Sequence, residues 1–294
     1  MAQLKTGKIF LIINNYAGHQ EGAKAVEIVI PWLQKNGCEV EYTFTQYAGH
    51  ATELALKASL AGFDLVVAVG GDGTVNEVAQ GLIGTQTSMG IVPVGSGNGL
   101  ARELGISMNM KKSAHTLIEG VNLQIDVCKL NNQRYLCTSG IGFDAQVADQ
   151  MSKASSRGLQ RYIQLVIKES IIYKPINVKM KIDGKLIHQP VFLITFANAS
   201  QFGNNAYIAP AASMTDGLID VIVVKPFHKI WLPILSLTLF TKIIHKLPFV
   251  DCYKASKVEL EWADTSIFHF DGEPGTLTIP ATITIDSNKI IVRH

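Results

Sequence analysis

The sequence lacks any marked charge imbalance: 26 Lys and Arg stand against 24 Asp and Glu, for a formal net charge of +2. It has no block of basic residues and no basic-aromatic stripe to track a phosphate backbone, so no nucleic-acid partner is expected. Cysteine is scarce. Cys38, Cys128, Cys137 and Cys252 are scattered with no C-x-x-C pair, which points to free thiols in a reducing compartment. The short apolar run at residues 8–13 stops at Asn14 and Asn15, so it reads as a strand and not as a secretory leader. A cytoplasmic protein is expected. Long apolar runs are missing as well. The stretch IWLPILSLTLFT at residues 230–241 is too short for a bilayer, which needs about 20 residues. It reads either as a core helix or as a segment that dips into a membrane surface. Disorder is excluded by composition, with 47% hydrophobic and only 17% charged residues.

Several nucleotide signatures are also absent. There is no G-x-x-x-x-G-K-[ST] phosphate loop and no H-R-D or D-F-G set. A G-x-G-x-x-A does occur at residues 140–145. It lies where the strand-rich part begins, and no acidic residue follows about 20 positions later to hold a ribose.

What is present in the first part is an alternation of strand and helix. Residues 8–13 form a compact apolar run. In residues 21–36, Val26, Val29, Ile30 and Leu33 share one helical face, Gly37 stops the helix, and Pro31 is placed to kink it. A strand at 39–44, a helix at 51–61, the fully apolar 65–69, a helix at 74–82 and a strand at 90–93 continue the rhythm. Such a pattern predicts an α/β domain, a parallel sheet with helices on both faces. After about residue 124 the chain turns β-rich, with strands expected at 127–130, 134–138, 176–182, 191–197, 218–224, 257–262, 266–270 and 281–292 and a helix at 159–172. The expected organisation is an N-terminal parallel-sheet nucleotide domain at residues 1–124 followed by a mostly antiparallel β-sandwich domain at 125–294, whose last strand can return to the first domain.

The strongest chemical signal is Gly70-Gly71-Asp72-Gly73-Thr74-Val75-Asn76-Glu77, which follows a buried strand and opens a helix. Glycines there let backbone amides approach a phosphate, and the helix N-terminus favours an anion. Asp72 suits such a place if a divalent cation lies between it and the phosphate. The bland alternative is a tight turn with Asp72 or Thr74 as helix cap. A second glycine turn, Gly95-Ser96-Gly97-Asn98-Gly99-Leu100-Ala101-Arg102, again follows a strand, and a third turn at residues 14–19 follows the first strand. Turns converging at the carboxyl ends of parallel strands are where such sheets bind ligands. The two Asp-Gly pairs at 216–217 and 271–272 read, by themselves, as hairpin turns.

Taken together, these segments resemble the diacylglycerol kinase catalytic-domain family, which includes sphingosine and ceramide kinases. The resemblance covers nearly the whole chain. Residues 14–18 stand where the family has Asn-Pro-x-Ser-Gly; Thr45 with His50-Ala51 matches the next segment; SMTDGLIDV at 213–221 and FDGEP at 270–274 match two acidic motifs. The resemblance implies an ATP-dependent kinase that phosphorylates the hydroxyl of a membrane lipid such as diacylglycerol or a sphingoid base, with Mg²⁺. It implies that Asn14, Asn15, Tyr16, Ala17, Gly18, Thr45, Gly70, Gly71, Asp72, Gly73, Thr74, Val75, Asn76 and Ser96 contact the nucleotide. Ser213 and Leu218, through carbonyls, and Asp216, through its carboxylate, would hold a structural Mg²⁺. Glu273, Asp271 and Asp72 are the catalytic candidates, with Asp271 or Glu273 taking the hydroxyl proton. Asn15, Ala17 and His19 depart from the family pattern of Pro, Ser and a basic residue, which alters the grip of the first turn. An NAD kinase shares the GGDGT turn but not the later motifs, and a catalytically silent nucleotide- or lipid-binding protein is the remaining alternative. A peripheral membrane contact is expected at residues 230–241 with their Lys and His flanks. A homodimer rests only on how common symmetric oligomers are.

Overall fold

The computed structural model describes residues 7–17, 21–154 and 159–294. Two compact units divide the chain: residues up to Ile125 together with Asn288–His294, and Asp126–Ser287.

The first unit begins with β1 (Lys8–Ile13), α1 (Glu21–Lys35), β2 (Glu39–Phe44), α2 (His50–Leu60), β3 (Leu65–Gly70), α3 (Asp72–Leu82) and β4 (Ser88–Pro93). It continues with α4 (Gly99–Glu103), α5 (Met110–Glu119) and β5 (Asn122–Ile125), and the C-terminal strand β18 (Ile290–Arg293) completes it. The sheet order is β2-β1-β3-β4-β18-β5. All neighbours run parallel except β5, which is antiparallel to β18. Every residue of β3 and β4 is buried, as expected of central strands covered on both faces. One face packs Leu11, Leu65, Val67 and Val69 against Val29 and Leu33 of α1 and Leu117 of α5. Helix α1 runs unbroken through Pro31. Arg293 is a buried cation in this unit. Its Nε donates to Leu117 O at 2.7 Å and its Nη2 to Ile118 O at 2.6 Å, so it caps the carbonyl end of α5 and fixes β18 in place.

The second unit holds β6 (Cys128–Leu130), β7 (Gln133–Tyr135), β8 (Thr138–Gly142), α6 (Phe143–Ser152), α7 (Leu159–Ile172), β9 (Ile176–Ile182), β10 (Lys185–Val191), β11 (Leu193–Ala197) and β12 (Ile219–Val224). After these come α8 (Leu232–Phe240), β13 (Val250–Ala255), β14 (Lys257–Ala263), β15 (Ile267–Phe270), β16 (Glu273–Thr276) and β17 (Ala281–Ile285). Two antiparallel sheets, β10-β9-β14-β17-β6-β7 and β13-β12-β11-β8-β15-β16, face each other across a core that includes Met180, Leu260, Phe196, Val221 and Phe268. Val223 of β12 joins Val221 in that core, whereas Ile222 and Val224 point the other way, into a layer with Phe143 of α6 and Leu235 of α8. This fold is the α/β plus antiparallel sandwich read from the sequence.

Three expectations change. Residues 281–292 form two strands rather than one, β17 in the sandwich and β18 in the first unit, because the polar stretch at 286–289 breaks the run. The span 134–138 splits into the end of β7 and the start of β8. Residues 230–241 are not a core helix: α8 buries only Leu235 and Thr238, and Ile230, Leu237 and Phe240 are 59–72% exposed.

Candidate functional site

In the first unit the strand registers set the turns side by side. Ile13 lies opposite both Phe44 and Val69, and Gly70 lies opposite Pro93, so the segments after β1, β2, β3 and β4 leave the sheet at one level. Hydrogen bonds join them across the sheet edge. Thr45 N donates to Ile13 O at 2.9 Å, and Asn14 Nδ2 donates to Thr74 Oγ1, in the first turn of α3, at 3.0 Å. Asn14 Oδ1 also accepts from Tyr16 N, which shapes the turn that carries Asn15, Tyr16 and Ala17. Tyr16 and Asn15 are exposed. Gly18 and His19 lie outside the described residues.

The two glycine turns are packed back to back. A Cβ on Gly95 would come within 2.6 Å of Gly71 Cα, and one on Gly97 within 2.5 Å of Asp72 Oδ2, so glycine is required at the first by the neighbouring backbone and at the second by the Asp72 carboxylate. Asp72 fastens them: its Oδ2 accepts from Asn98 N at 2.8 Å and its Oδ1 from Gly99 N at 2.6 Å. The sequence suggested a carboxylate turned to a cation. Both its oxygens instead cap the start of α4. Asn98, in a left-handed conformation (φ 52°), completes the turn by accepting from Gly95 N at 3.1 Å and donating to Gly95 O at 2.7 Å. Gly73 and Ser96 remain exposed. The first amides of α3 precede its first intrahelical bond, Val75 N to Gly71 O at 3.0 Å, and with the helix field they can receive an anion. Val75 is buried against the sheet, while Asn76 is half-buried and accepts from Gln80 Nε2 at 3.0 Å.

Glu77 ties the segment after β2 to this assembly, accepting from Ala51 N at 3.1 Å through Oε2, while its carbonyl accepts from Thr52 Oγ1 at 2.8 Å. Asn98 and Glu77 lie inside the motifs but were not singled out as site residues, since nothing in their spacing reveals which distant amides they meet.

The second unit carries the acidic hairpin. β15 and β16 pair Phe270 with Glu273, leaving Asp271 and Gly272 as a two-residue loop with φ of 50° and 86°. Two positive φ values make this the mirror-image turn that suits tight hairpins. The Asp271 carboxylate turns inward. Oδ2 accepts from Leu136 N at 2.8 Å, and Oδ1 from Cys137 N at 2.7 Å and Thr138 N at 3.0 Å. Burial pushes its carboxyl up, against the three amides and the nearby His269, which pull it down. Glu273, two residues on, is exposed, and no hydrogen bond or ion pair engages its carboxylate among the described residues. The two acids of one motif thus differ: one holds backbone, the other stands in solvent.

Beneath the hairpin lies a polar cluster that the sequence did not reveal. His269 is 3% exposed, and its Nε2 sits 3.2 Å from Asp144 Oδ2, which also accepts from Thr195 Oγ1 at 3.1 Å. Asp144 opens α6 and accepts from Ala145 N at 2.8 Å. A Cβ on Gly140 would collide with both Asp144 and His269, which accounts for the first glycine of the G-x-G-x-x-A run by packing rather than by a dinucleotide. His269 and Asp144 are 125 positions apart, so only the fold joins them.

The other acidic motif lies in the loop before β12. Asp216 Oδ1 accepts from Leu218 N at 3.1 Å, and its Oδ2 is 2.6 Å from Lys254 Nζ. Ser213 Oγ lies 3.3 Å from Thr215 Oγ1. Both Asp216 oxygens are engaged in this way, one of them by an ammonium group, so the Mg²⁺ that the resemblance implies at Ser213, Asp216 and Leu218 would have to compete with Lys254 for that carboxylate. No group of three or more His, Cys, Asp or Glu suited to a metal ion occurs among the described residues.

Comparison with known proteins gives this arrangement a lineage. Residues 8–130 match the family model described as the diacylglycerol kinase catalytic domain, and residues 138–293 match the YegS C-terminal NAD kinase beta sandwich-like domain. A diacylglycerol kinase of Bacillus subtilis is 30% identical over 271 residues, covering 90% of this chain and 89% of that protein. The chain belongs to the diacylglycerol kinase family. A diacylglycerol kinase of Mycobacterium tuberculosis is 28% identical over 268 residues, with 88% of this chain and 82% of that protein covered. A crystal structure from Bacillus anthracis superposes with a TM-score of 0.82 over 100% of this chain and 97% of that one, at 23% identity, and supports the fold alone. As a member of this family the protein is a phosphotransferase with an alcohol acceptor, and the family implies ATP as co-substrate.

Proposed function

We propose that the protein transfers the γ-phosphoryl group of ATP to the hydroxyl of a membrane lipid, with diacylglycerol the first candidate and a sphingoid base the second. The observation that carries this reading is the pair of glycine turns fastened by Asp72, at the level where β1, β3 and β4 end. A site of this build positions polyphosphate with backbone amides and a helix field, which is most of what phosphoryl transfer asks of a protein. Asn14, Thr45, Gly70 through Asn76 and Ser96 take the nucleotide, with Asp72 a positioning residue. Mg²⁺ bound with the nucleotide would supply the positive charge that offsets the polyphosphate, while these residues position it.

The acceptor hydroxyl oxygen attacks the γ-phosphorus as the bond to the β-γ bridging oxygen breaks, and ADP leaves. A carboxylate takes the hydroxyl proton as the new bond forms. Glu273 suits that task better than Asp271, whose oxygens already serve three amides.

The acceptor is reached from the membrane surface through α8 and its neighbour. Ile230, Ile234, Leu237 and Phe240 are exposed, as are Ile163, Ile167 and Ile171 along one stripe of α7, and the Lys229 ammonium bonds the Ile171 carbonyl. Lys242, His245 and Lys246 follow α8, and apolar insertion with basic flanks favours an anionic bilayer. No described helix is long and apolar enough to cross a membrane. Charged substitutions at Leu237 and Phe240 are expected to abolish co-sedimentation with anionic vesicles; unchanged sedimentation of a folded variant would dismiss this surface.

The test of function is transfer of label from radioactive ATP into diacylglycerol, sphingosine, ceramide or NAD, with and without Mg²⁺. A labelled lipid only in the presence of Mg²⁺ is expected. Label in NAD alone would favour the second reading, which the NAD kinase-like description of the C-terminal sandwich keeps open. No label in any acceptor would point to a silent binding protein.

A further inference from the structure

We propose that Lys254 is the resident cation of the second unit, its ammonium group holding the loop before β12 in the manner of a bound divalent ion, so that this loop is ordered without metal.

The loop is short of positive charge and rich in carboxylate. Asp216 is exposed at the turn, and Asp220, four residues later on β12, is 5% exposed. Burial pushes the Asp220 carboxyl up while Lys254 pulls it down, and its buried Oδ2 has no hydrogen-bond partner, only the ion-pair contact with Lys254. A buried carboxylate of this kind demands a cation. Lys254 supplies it to both acids at once, 2.6 Å from Asp216 Oδ2 and 3.5 Å from Asp220 Oδ2.

The sheet delivers that cation. Lys254 lies directly opposite Asp220 in the antiparallel pairing of β12 with β13, so its stem starts from a fixed point. The rest of the loop is met by the protein's own groups. Gly217 N donates to Asp126 Oδ2 at 2.8 Å, and Asp126 N donates to Met214 O at 2.7 Å, while Leu218 N takes the second oxygen of Asp216. A divalent ion at Asp216 would have to displace the ammonium from Oδ2, and Lys254 would then no longer bridge the two acids. The magnesium that accompanies ATP is a separate matter, and this inference does not depend on the lipid-kinase reading.

The experiment is done on the full chain without nucleotide. Unfolding midpoints and protease cleavage within residues 211–218 are measured in EDTA and in millimolar MgCl₂, and Mn²⁺ binding is followed by electron paramagnetic resonance. Wild-type protein is expected to show the same midpoint and the same protection in both solutions. Lys254→Ala is expected to be cleaved faster in EDTA and to regain protection on adding MgCl₂, with Lys254→Arg close to wild type. A rise in the wild-type midpoint with MgCl₂ that Asp216→Asn abolishes would overturn the proposal. A rise that survives Asp216→Asn does not need that carboxylate, and the proposal then stands only if wild-type cleavage within residues 211–218 is the same in both solutions and falls if MgCl₂ slows it. If Lys254→Ala does not fold, the wild-type and Asp216→Asn measurements decide alone.

Discussion

The glycine turns of the first unit and the acidic hairpin of the second each contain an aspartate beside a glycine, and the two aspartates behave alike in one respect. Asp72 gathers two amides of the neighbouring turn; Asp271 gathers three from residues 136–138. The difference lies next door. Around Asp72 the neighbours are exposed glycine and serine backbone, suited to an anion. Beside Asp271 stands Glu273, an exposed carboxylate suited to a proton. An acid in a glycine-rich turn is therefore not, by that fact, a reacting acid. In both regions the carboxylate of the aspartate is engaged by backbone amides of a neighbouring segment.

The sharpest way to break this comparison is to exchange the two hairpin acids one at a time. Glu273→Gln is expected to lower kcat about 100-fold or more, the usual yield of a general base, with the unfolding midpoint unchanged. A variant with wild-type turnover would return the role to Asp271. Asp271→Ala should do the reverse, costing about 3 kcal/mol in denaturant unfolding because three amides lose their acceptor. Next in size is Gly95→Ala. Its Cβ would strike Gly71 backbone, so a loss of about 1–3 kcal/mol of stability is expected, as in overpacked sites. Isothermal titration should show weakened ATP binding, while unaltered binding would mean the close approach of the turns is irrelevant to nucleotide.

The smallest effect concerns acid. Glu261 of β14 is held down to about 2 by hydrogen bonds from Lys179 and Lys181 of β9. Its contribution is present above the ordinary value near 4.5 and is lost as pH falls from there to about 2. Glu261→Gln should flatten the stability profile in that window alone, and an identical slope in both proteins would show that the exposed pair contributes nothing.

Much of the fold was legible because burial writes itself into short runs. The apolar span at 65–69 could only be a central strand, and the spacing of Val26, Val29, Ile30 and Leu33 only a helix face. β10 escaped because KLIHQPV is half exposed and carries a proline near its end. α6 escaped because the glycines before it read as part of a strand-rich stretch, although Gly142, at φ 108°, is its cap. The motif segments of the candidate site were visible as runs of glycine and acid. What each side chain holds was not, since the partners of Asp72, Asp271, His269 and Asp216 lie between 26 and 135 positions away.

The placement of β18 bears on how the chain acquires its structure during synthesis. This strand sits inside the first sheet, between β4 and β5, yet the ribosome makes it only after the whole of the second unit. Until then β4 and β5 have unpaired edges, and Arg293 is not there to cap α5. The first unit is thus started first and finished last, with the sandwich completed inside that interval. Pulse proteolysis of arrested nascent chains should find the sandwich resistant before the N-terminal sheet becomes so.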